Sequence, residues 1–253
     1  MRLATFNILH GKSLIDDAVD VDRFAAAVQS LDADVVALQE VDCGQPRSNG
    51  ADLTAVAAQA MGARAHRFVA TMAGVPGAWS AASAEHRPTT ASYGIALLSR
   101  LPVRSWHTIT LPTLRGRIPM LGGRRPVVLV RDEPRAAVAA VLETPDGPLT
   151  VVATHLTFIP GWNAVQLHRL ARGVRALPRP LVLLGDLNLA GSVPARTTRM
   201  RPLATALTFP VGAPLRQIDH ILGVGPVRAT SGGASLDLGV SDHRALVVEV
   251  ELA

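Results

Sequence analysis

The sequence predicts an α/β fold built from two packed, mixed β-sheets with helices on their outer faces. Strand-like and helix-like segments alternate along the chain, which is typical of an α/β protein. Strand candidates outnumber helix candidates, and the connections between them suit hairpins in some places and crossovers in others. No internal repeat, low-complexity linker or domain boundary is evident, so we expect one domain over residues 1–253.

The individual elements follow from hydrophobic periodicity. Apolar residues at helical spacing predict helices at Val21–Ser30, Asp52–Ala60 and Asn163–Leu177, the last stopped by Pro178. Alternating or β-branched runs predict strands at Arg2–Phe6, Asp34–Leu38, Ala65–Ala70, Gly94–Ser99, Ala136–Glu143, Leu149–Thr154, Leu181–Leu184, Ile218–Leu222 and Ala245–Glu251. Thr71–Ser92 and Thr113–Pro134 lack clear periodicity and are predicted to be long loops, which often carry function.

Composition excludes several classes of protein. Hydrophobic residues make up 48% and charged residues 18% of the 253 residues, which is typical of a globular protein and not of a disordered one. The only cysteine is Cys43, so internal disulfides and multi-cysteine metal sites are excluded. No apolar run is long enough to span a bilayer, and Asn7 and His10 interrupt the first apolar run, so we expect a cytoplasmic protein.

The positive charge is carried almost entirely by arginine. The net charge is +5, and Lys12 is the only lysine. The planar guanidinium group suits bidentate contact with phosphate, so this charge is consistent with an anionic substrate. A GC-biased genome would also enrich arginine together with alanine, glycine, proline and valine, and both interpretations stay open.

Polar residues follow the apolar strands at several strand ends. Asn7, Glu40, His155 and the stretch Gly185-Asp186-Leu187-Asn188 each come directly after such a run, whereas Ser241-Asp242-His243 precedes the last one. Because ligand sites in α/β sheets lie beyond the carboxyl ends of strands, these side chains are predicted to share one edge. Any one of these endings also suits a turn. In an extended chain Asp186 and Asn188 would lie on the same side.

The residue types at these positions indicate metal-assisted chemistry. Glu40 and Asp242 are hard oxygen ligands, and the Asn7 amide oxygen would add a third, which suits Mg²⁺. Zinc is disfavoured because no HExxH motif or cysteine cluster is present. His155 and His243 are then available for proton transfer or charge stabilisation, with Asp219 placed to orient His243. The set predicts hydrolysis of a phosphoester with water as the nucleophile.

Seven motifs in this order resemble the signature blocks of the endonuclease/exonuclease/phosphatase superfamily, which includes deoxyribonuclease I-like and exonuclease III-like enzymes. They are TFNILHG, ALQEVD, YGIALLSR, ATHL, LLGDLN, QIDHIL and SDHRAL, and they extend from the first strand to the last. The resemblance implies a four-layer α/β sandwich with one site between the two sheets. It also implies a Mg²⁺-dependent enzyme, with Mn²⁺ as a possible substitute, that acts on nucleic acid or another phosphoester. The sequence itself gives no sign of an obligate protein partner.

The resemblance also implies roles for single residues. Glu40 would be the principal metal ligand, with Asn7 and Asp242 beside it. Asp186 would position or activate the attacking water, and Asn188 would contact the scissile phosphate. His243, paired with Asp219, would stabilise the transition state or exchange a proton, and His155 would contact phosphate or assist the leaving group. Which of Asp186 and His243 is the base stays open.

Further residues are weaker candidates. Tyr93, Arg135 and His10 are predicted to contact substrate near the site, whereas Glu85 and His86 are interpreted as solvated loop residues. Leu9 stands where some nucleases of the superfamily carry an acidic residue, which argues against a second metal ion there. The substrate also stays open among nucleic acid, a phospholipid such as sphingomyelin, a phosphoinositide and a small phosphorylated compound. A catalytically silent scaffold would be expected to lack some of these ligands or histidines, and all are present.

Overall fold

The computed structural model describes residues 1–82, 88–122 and 125–252. The two loop residues Glu85 and His86 lie outside these ranges. Within the described residues, no helix is both long and apolar enough to cross a membrane. A cytoplasmic location and a single domain stay predictions from the sequence.

The described elements are mostly strands. The helices are α1 (Val21–Ser30), α2 (Leu53–Met61), α3 (Trp162–Gly173) and α4 (Val193–Thr198). The strands are β1 (Arg2–Asn7), β2 (Val35–Cys43), β3 (Ala65–Ala73), β4 (Ser80–Ala81), β5 (Ser92–Ser99), β6 (Val103–Leu111), β7 (Arg117–Gly122), β8 (Arg125–Arg131), β9 (Arg135–Thr144), β10 (Gly147–His155), β11 (Leu181–Asp186), β12 (Arg201–Pro202), β13 (Asp219–Val224), β14 (Val227–Ala229), β15 (Ala234–Leu236) and β16 (Ala245–Leu252). Two short 3₁₀ turns lie at Leu9–Gly11 and Pro46–Ser48.

Most strands form two mixed sheets. The first has the order β14-β16-β1-β2-β5-β3-β4, with β15 also paired to β16, and its only parallel pair among these strands is β1 with β2. The second has the order β12-β13-β11-β10-β9-β6, and here β10 and β11 are parallel. Each parallel pair is joined through a helix, α1 in the first sheet and α3 in the second, as parallel strands require.

The central strands of the two sheets are continuous apolar runs because both of their faces are buried. Alternate residues of β2 divide between two cores: Val35 and Ala37 face the second sheet, whereas Val36 and Leu38 face α1 and α2. A third core lies between the second sheet and α3, around Leu170. Three cores between four layers confirm the predicted four-layer α/β sandwich with helices outside two packed sheets.

The structure corrects the predictions for several elements. Thr113–Pro134 is not simply a loop, since β7 and β8 pair within it as a separate hairpin. The sequence also missed β6, an edge strand in which only Leu111 is fully buried and which therefore lacks an apolar run. The third helix ends at Gly173 and not at Leu177, because the chain after Val174 forms tighter turns.

Candidate active site

A cleft of about 370 Å³ opens where the ends of the two sheets meet. Its lining comes from both sheets and from the loops that follow their strands. The predicted site residues that line it are His10, Glu40, Tyr93, Arg135, His155, Asp186, Asn188 and His243. Asn7 and Asp219 lie directly behind this lining and hydrogen-bond to it, and Asp242 adjoins it.

Asp186 lies at the centre of the polar network. Its Oδ2 atom accepts a hydrogen bond from the Asn7 amide at 3.1 Å and lies 3.4 Å from Nε2 of His155. Nε2 of His243 is 3.9 Å from the same oxygen. Burial by itself would raise the pKa of Asp186, but the hydrogen bond from His155 and the charge of nearby His243 outweigh it and hold the pKa well below its ordinary value. Asp186 is therefore an ionised acceptor over the whole neutral range.

The turn after β11 places Asn188 in the cleft in a way that alternation did not predict. Asn188 has a φ of 50°, so the chain is not extended there. Its backbone N–H donates to Oδ1 of Asp186 at 2.9 Å, while Leu187 is buried. The amide nitrogen of Asn188 donates to the carbonyl of Leu156 and lies 3.5 Å from Nε2 of His155. Asp186 therefore forms the turn with one oxygen and faces the cleft with the other.

Arg135 fixes the orientation of His155. Its Nη1 donates to Nδ1 of His155 at 2.9 Å, and its Nη2 donates to Glu133 at 2.8 Å. A guanidinium group can only donate, so Nδ1 is the accepting nitrogen and Nε2 carries the proton that points to Asp186. Arg135 is only 5% exposed, and it occupies this position because β9 begins with it at the cleft. Arg135 thus serves as a positioning residue as well as a cation in the wall.

His243 and Asp219 form a buried pair. Nδ1 of His243 lies 2.9 Å from Oδ2 of Asp219 on β13, and Asp219 is fully buried. Burial would lower the pKa of His243, but the carboxylates of Asp219, Asp186 and Asp242 raise it to about 9. His243 is therefore protonated at neutral pH, with Nε2 directed toward the centre of the network.

Glu40 does not lie at the end of its strand, as the sequence had suggested. It is the extra residue of a β-bulge between Gln39 and Val41 in β2, and its φ is 58°. An extra residue disturbs the alternation of a strand and re-aims a side chain. The bulge accounts for a carboxylate that reaches the cleft from the middle of a strand otherwise buried on both faces.

Asn7 connects Glu40 with Asp186. Its amide nitrogen donates to Oε1 of Glu40 at 3.0 Å as well as to Asp186, and its amide oxygen accepts from the backbone of Leu9 at 3.2 Å. In this arrangement the amide bridges two carboxylates, and a direct bond from its oxygen to a metal would require the amide to rotate. The role of Asn7 as a metal ligand stays a prediction.

The donor set fits a hard divalent cation. The carboxylates of Glu40 and Asp186 are held together by one amide, which leaves oxygen atoms facing the cleft, as Mg²⁺ prefers. Asp186, Asp219 and His243 also place potential ligand atoms within 4.8 Å of one another. Asp219 and Nδ1 of His243 are occupied by their mutual hydrogen bond, so the Glu40 side of the cleft is the better metal position.

The structure adds residues that the sequence did not single out as site residues. Arg47 lies 5.8 Å from the ring centroid of Trp79 and 5.5 Å from that of Tyr93, and it forms an ion pair with buried Asp42. Burial and the charge of Arg47 lower the pKa of His10 to about 4, so His10 is neutral in the wall. The cleft is also lined by Leu9, Met72, Glu133, Phe158, Phe209, Arg216 and Ile218. These residues are scattered over loops and strand ends, and no local motif marks them.

This fold and cleft define a class of protein, the phosphoric ester hydrolases with two packed sheets and a metal-binding carboxylate cluster. Residues 4–243 match the profile of the Endonuclease/Exonuclease/phosphatase family, and the chain belongs to that family. Members of this family are metal-dependent phosphoester hydrolases, so the protein is an enzyme of that kind.

Solved structures show the same fold. An endonuclease/exonuclease/phosphatase from Beutenbergia cavernae DSM 12333 is 24% identical with a TM-score of 0.72, covering 100% of this chain and 72% of that chain. The mannosyl-6-phosphatase of Bacteroides thetaiotaomicron VPI-5482 is 16% identical with a TM-score of 0.65 and full coverage of both chains, 100% each. A beta toxin mutant from Staphylococcus aureus with bound magnesium ions is 14% identical with a TM-score of 0.63, covering 98% of each chain. A search of curated proteins found no match.

Proposed function

We propose that this protein is a Mg²⁺-dependent phosphodiesterase that hydrolyses its substrate with water. The observation that carries the proposal is the convergence of three polar or charged groups, those of Asn7, His155 and His243, on one oxygen, Oδ2 of Asp186. Asn7 and His155 contact that oxygen directly, and the protonated His243 lies 3.9 Å away. A neighbouring carboxylate, Glu40, completes a site that combines metal-binding oxygens with proton donors.

Glu40 would hold the metal, with Asp242 and Asn7 beside it, and Mn²⁺ would be accepted in its place. The bound ion supplies electrostatic stabilisation of the developing negative charge. Support comes from the oxygen donors at the Glu40 side of the cleft and from the hard-cation preference for such donors. The beta toxin mutant that shares the fold carries bound magnesium ions.

The remaining roles follow from protonation. Asp186 is ionised and accepts a hydrogen bond from the attacking water, which orients it toward phosphorus. As the water oxygen bonds to phosphorus it releases a proton to solvent, and the leaving oxygen takes up a proton from solvent as its own bond to phosphorus breaks. His243, held by Asp219, donates from Nε2 to a non-bridging phosphoryl oxygen, where charge accumulates as the bond to the leaving oxygen breaks. The Asn188 amide donates to the same phosphoryl group, and His155, whose Nε2–H points to Asp186, holds that carboxylate in place beside it. These protonation states favour Asp186 as the group that positions the water and His243 as the hydrogen-bond donor to the phosphoryl oxygen.

The walls of the cleft suggest where the two arms of a diester lie. Arg47 and Arg216 are cations at the rim, and Trp79, Tyr93, Phe158 and Phe209 present aromatic surface. Such a wall would hold the leaving group of an aryl, nucleoside or lipid diester by stacking or apolar contact. Tyr93 is buried and close to Glu40, which raises the pKa of its phenol well above the ordinary value and keeps it a neutral hydrogen-bond donor.

The test is hydrolysis of bis-p-nitrophenyl phosphate and of duplex DNA by the parent protein and by a Glu40→Gln variant over a series of Mg²⁺ concentrations. We expect kcat/KM to fall by about a hundredfold or more in the variant, because an interaction that stabilises the transition state is lost. An Asp34→Asn variant, which changes a carboxylate far from the cleft, is the control. Equal Mg²⁺-dependent activity in Glu40→Gln and the parent would overturn the metal assignment.

A second candidate is hydrolysis of a phosphomonoester in a small compound. It is favoured by the cleft volume of about 370 Å³, which lies in the range of small-ligand sites. The mannosyl-6-phosphatase that shares the fold acts on such a compound by its name. A panel of sugar phosphates, inositol phosphates and sphingomyelin run beside the diesters separates the two candidates, since turnover of monoesters alone would replace the phosphodiesterase proposal.

A further inference from the structure

A second cleft, of about 420 Å³, lies at the end of the second sheet opposite to the active-site cleft. Five exposed arginines line it, and we call it the arginine cleft: Arg172, Arg175, Arg179, Arg196 and Arg199. His168 and Thr197 add further polar groups to its wall. The arginines come from the carboxyl end of α3, the segment after it, and the carboxyl end of α4.

The arginine cleft is separate from the active site. Asn163, near the start of α3, hydrogen-bonds to the backbone of Asn188 at the active-site end. Arg172 lies nine residues further along the same helix, about 14 Å away at the usual rise per residue. Likewise, Arg179 precedes β11 and Asp186 ends it, which places roughly 20 Å of extended chain between them. None of the arginines of this cleft lines the active-site cleft.

The segment of the chain that forms this cleft is rich in positive charge and poor in negative charge. Residues 147–217 contain eight arginines and a single carboxylate, that of Asp186, which is buried at the active site. Their net charge of +7 exceeds the +5 of the whole chain, so the remaining residues are slightly acidic. A GC-biased composition would distribute arginine over both parts and does not explain the lack of carboxylates in one of them.

The arginines of the cleft are not neutralised by carboxylates in the part of the chain that the structure describes. Within the described residues, none of the five forms an ion pair within 4.0 Å. Arg179 donates to the carbonyls of Val174 and Leu177, at 3.3 and 3.5 Å. Stabilisation of helix ends accounts for Arg172 and Arg196, which lie in the last turns of α3 and α4. It does not account for Arg175 and Arg199, which lie beyond those helices.

Arg199 occupies a position that favours glycine. It follows α4 with a φ of 59°, in the left-handed region where helices most often place glycine or asparagine. The chain therefore accepts a strained backbone at a residue whose guanidinium group lines the cleft. Glycine or asparagine would end the helix with less backbone strain.

We propose that the arginine cleft binds a compact anion that carries two or more phosphoryl groups, such as an oligophosphate. The guanidinium groups have the planar geometry for bidentate contact with phosphate. The cleft is concave and of small-ligand size, which favours a compact ligand over a flat membrane surface. Among the described residues that line it there is no tryptophan, tyrosine or phenylalanine on which nucleic-acid bases would stack, so the contacts would be made to phosphate alone.

Calorimetric titration of the full chain with sodium tripolyphosphate tests the proposal. The buffer contains EDTA, so that the catalytic metal site does not contribute. We expect one binding site, and a loss of affinity of about a hundredfold in the double variant Arg172→Gln/Arg196→Gln, since each charged hydrogen bond contributes roughly tenfold. The control is Arg64→Gln/Arg104→Gln, which removes the same charge from exposed arginines elsewhere. We expect its affinity to stay within about twofold of the parent.

The outcomes are distinct. Absence of tripolyphosphate binding to the parent, or equal losses in the two double variants, would overturn the proposal. Binding of a single-stranded oligonucleotide or of phosphatidylserine vesicles that is lost in Arg172→Gln/Arg196→Gln, while this variant keeps its tripolyphosphate affinity, would also overturn it in favour of a macromolecular ligand. Circular dichroism confirms that each variant is folded. The proposal does not depend on the proposed phosphodiesterase activity, because the titration measures binding without turnover.

Discussion

Replacing Asp219 with asparagine removes the carboxylate that accepts from Nδ1 of His243. The size of the effect follows from the pKa of His243, which burial would lower but which the carboxylates of Asp219, Asp186 and Asp242 raise from 6.5 to about 9. Each pKa unit corresponds to about 1.4 kcal/mol, so the folded protein favours the protonated imidazole by about 3 kcal/mol. Asp219 makes the largest raising contribution, and asparagine keeps the size of the side chain without its charge.

The sign of the pH dependence follows from linkage. A histidine whose pKa is higher in the folded than in the unfolded protein stabilises the fold fully below its unfolded pKa of 6.5, and this contribution is lost as the pH rises to about 9. In Asp219→Asn most of the contribution disappears. We therefore expect the free energy of unfolding of the variant to fall below that of the parent by about 2–3 kcal/mol more at pH 6 than at pH 10.

Urea unfolding at both pH values measures this difference, and an NMR titration of the histidine ring measures the pKa directly. Asp237→Asn is the matched control, since Asp237 is exposed and asparagine keeps the acceptor for the Gly239 backbone. An equal stability difference at both pH values would refute the reasoning. So would a His243 that titrates near its ordinary value in the parent.

Two further predictions concern the scaffold. Gly94→Ala should lower the free energy of unfolding by about 1–3 kcal/mol, because an added Cβ would overlap the carbonyl oxygen of Val69. Gly232→Ala, at an open position, is the control, and thermal melts compare the two variants with the parent. Equal melting temperatures for the two variants would contradict the prediction. Asp20→Ala should cost about 1 kcal/mol, because Asp20 caps α1 through the N–H groups of its first turn. Urea unfolding checks this, kcat should be unchanged, and an Asp20→Ala variant as stable as Asp20→Asn would contradict the capping role.

The layers of the fold were predictable because their signal is local. Buried strands such as β11 are continuous apolar runs, and α1 has an N-cap aspartate and an apolar face that reproduce the predicted bounds Val21–Ser30. The edge strand β6 was not predictable, since its exposed residues break the pattern. The β7–β8 hairpin was missed for a related reason. Among the strands that the structure describes it pairs with neither large sheet, so packing against a sheet does not impose an alternation on its sequence.

The sequence predicted which residues form the site better than it predicted how they are oriented. Polar residues at strand ends led to Asn7, His155 and Asp186, which the structure brings into contact. The orientation of the Asn7 amide, the bulge at Glu40 and the turn at Asn188 depend on backbone torsions that no local pattern specifies. Arg47 was missed because its place in the cleft depends on an ion pair with Asp42 and on rings brought close by other strands.

The bulge at Glu40 has a counterpart across the sheet. On the far side of β5, β3 also gains one residue, Thr71, between the partners of Gly94 and Tyr93. The two surplus residues lie opposite neighbouring positions of β5. Beyond these two bulges, the side chains of β2 and β3 therefore again alternate in step with each other. The disturbance stays confined to the end of the sheet that bears the cleft, and the apolar alternation behind it is preserved. A substitution at Thr71, which is not among the residues that line the cleft, is therefore expected to change the direction of the Glu40 carboxylate without changing a candidate ligand.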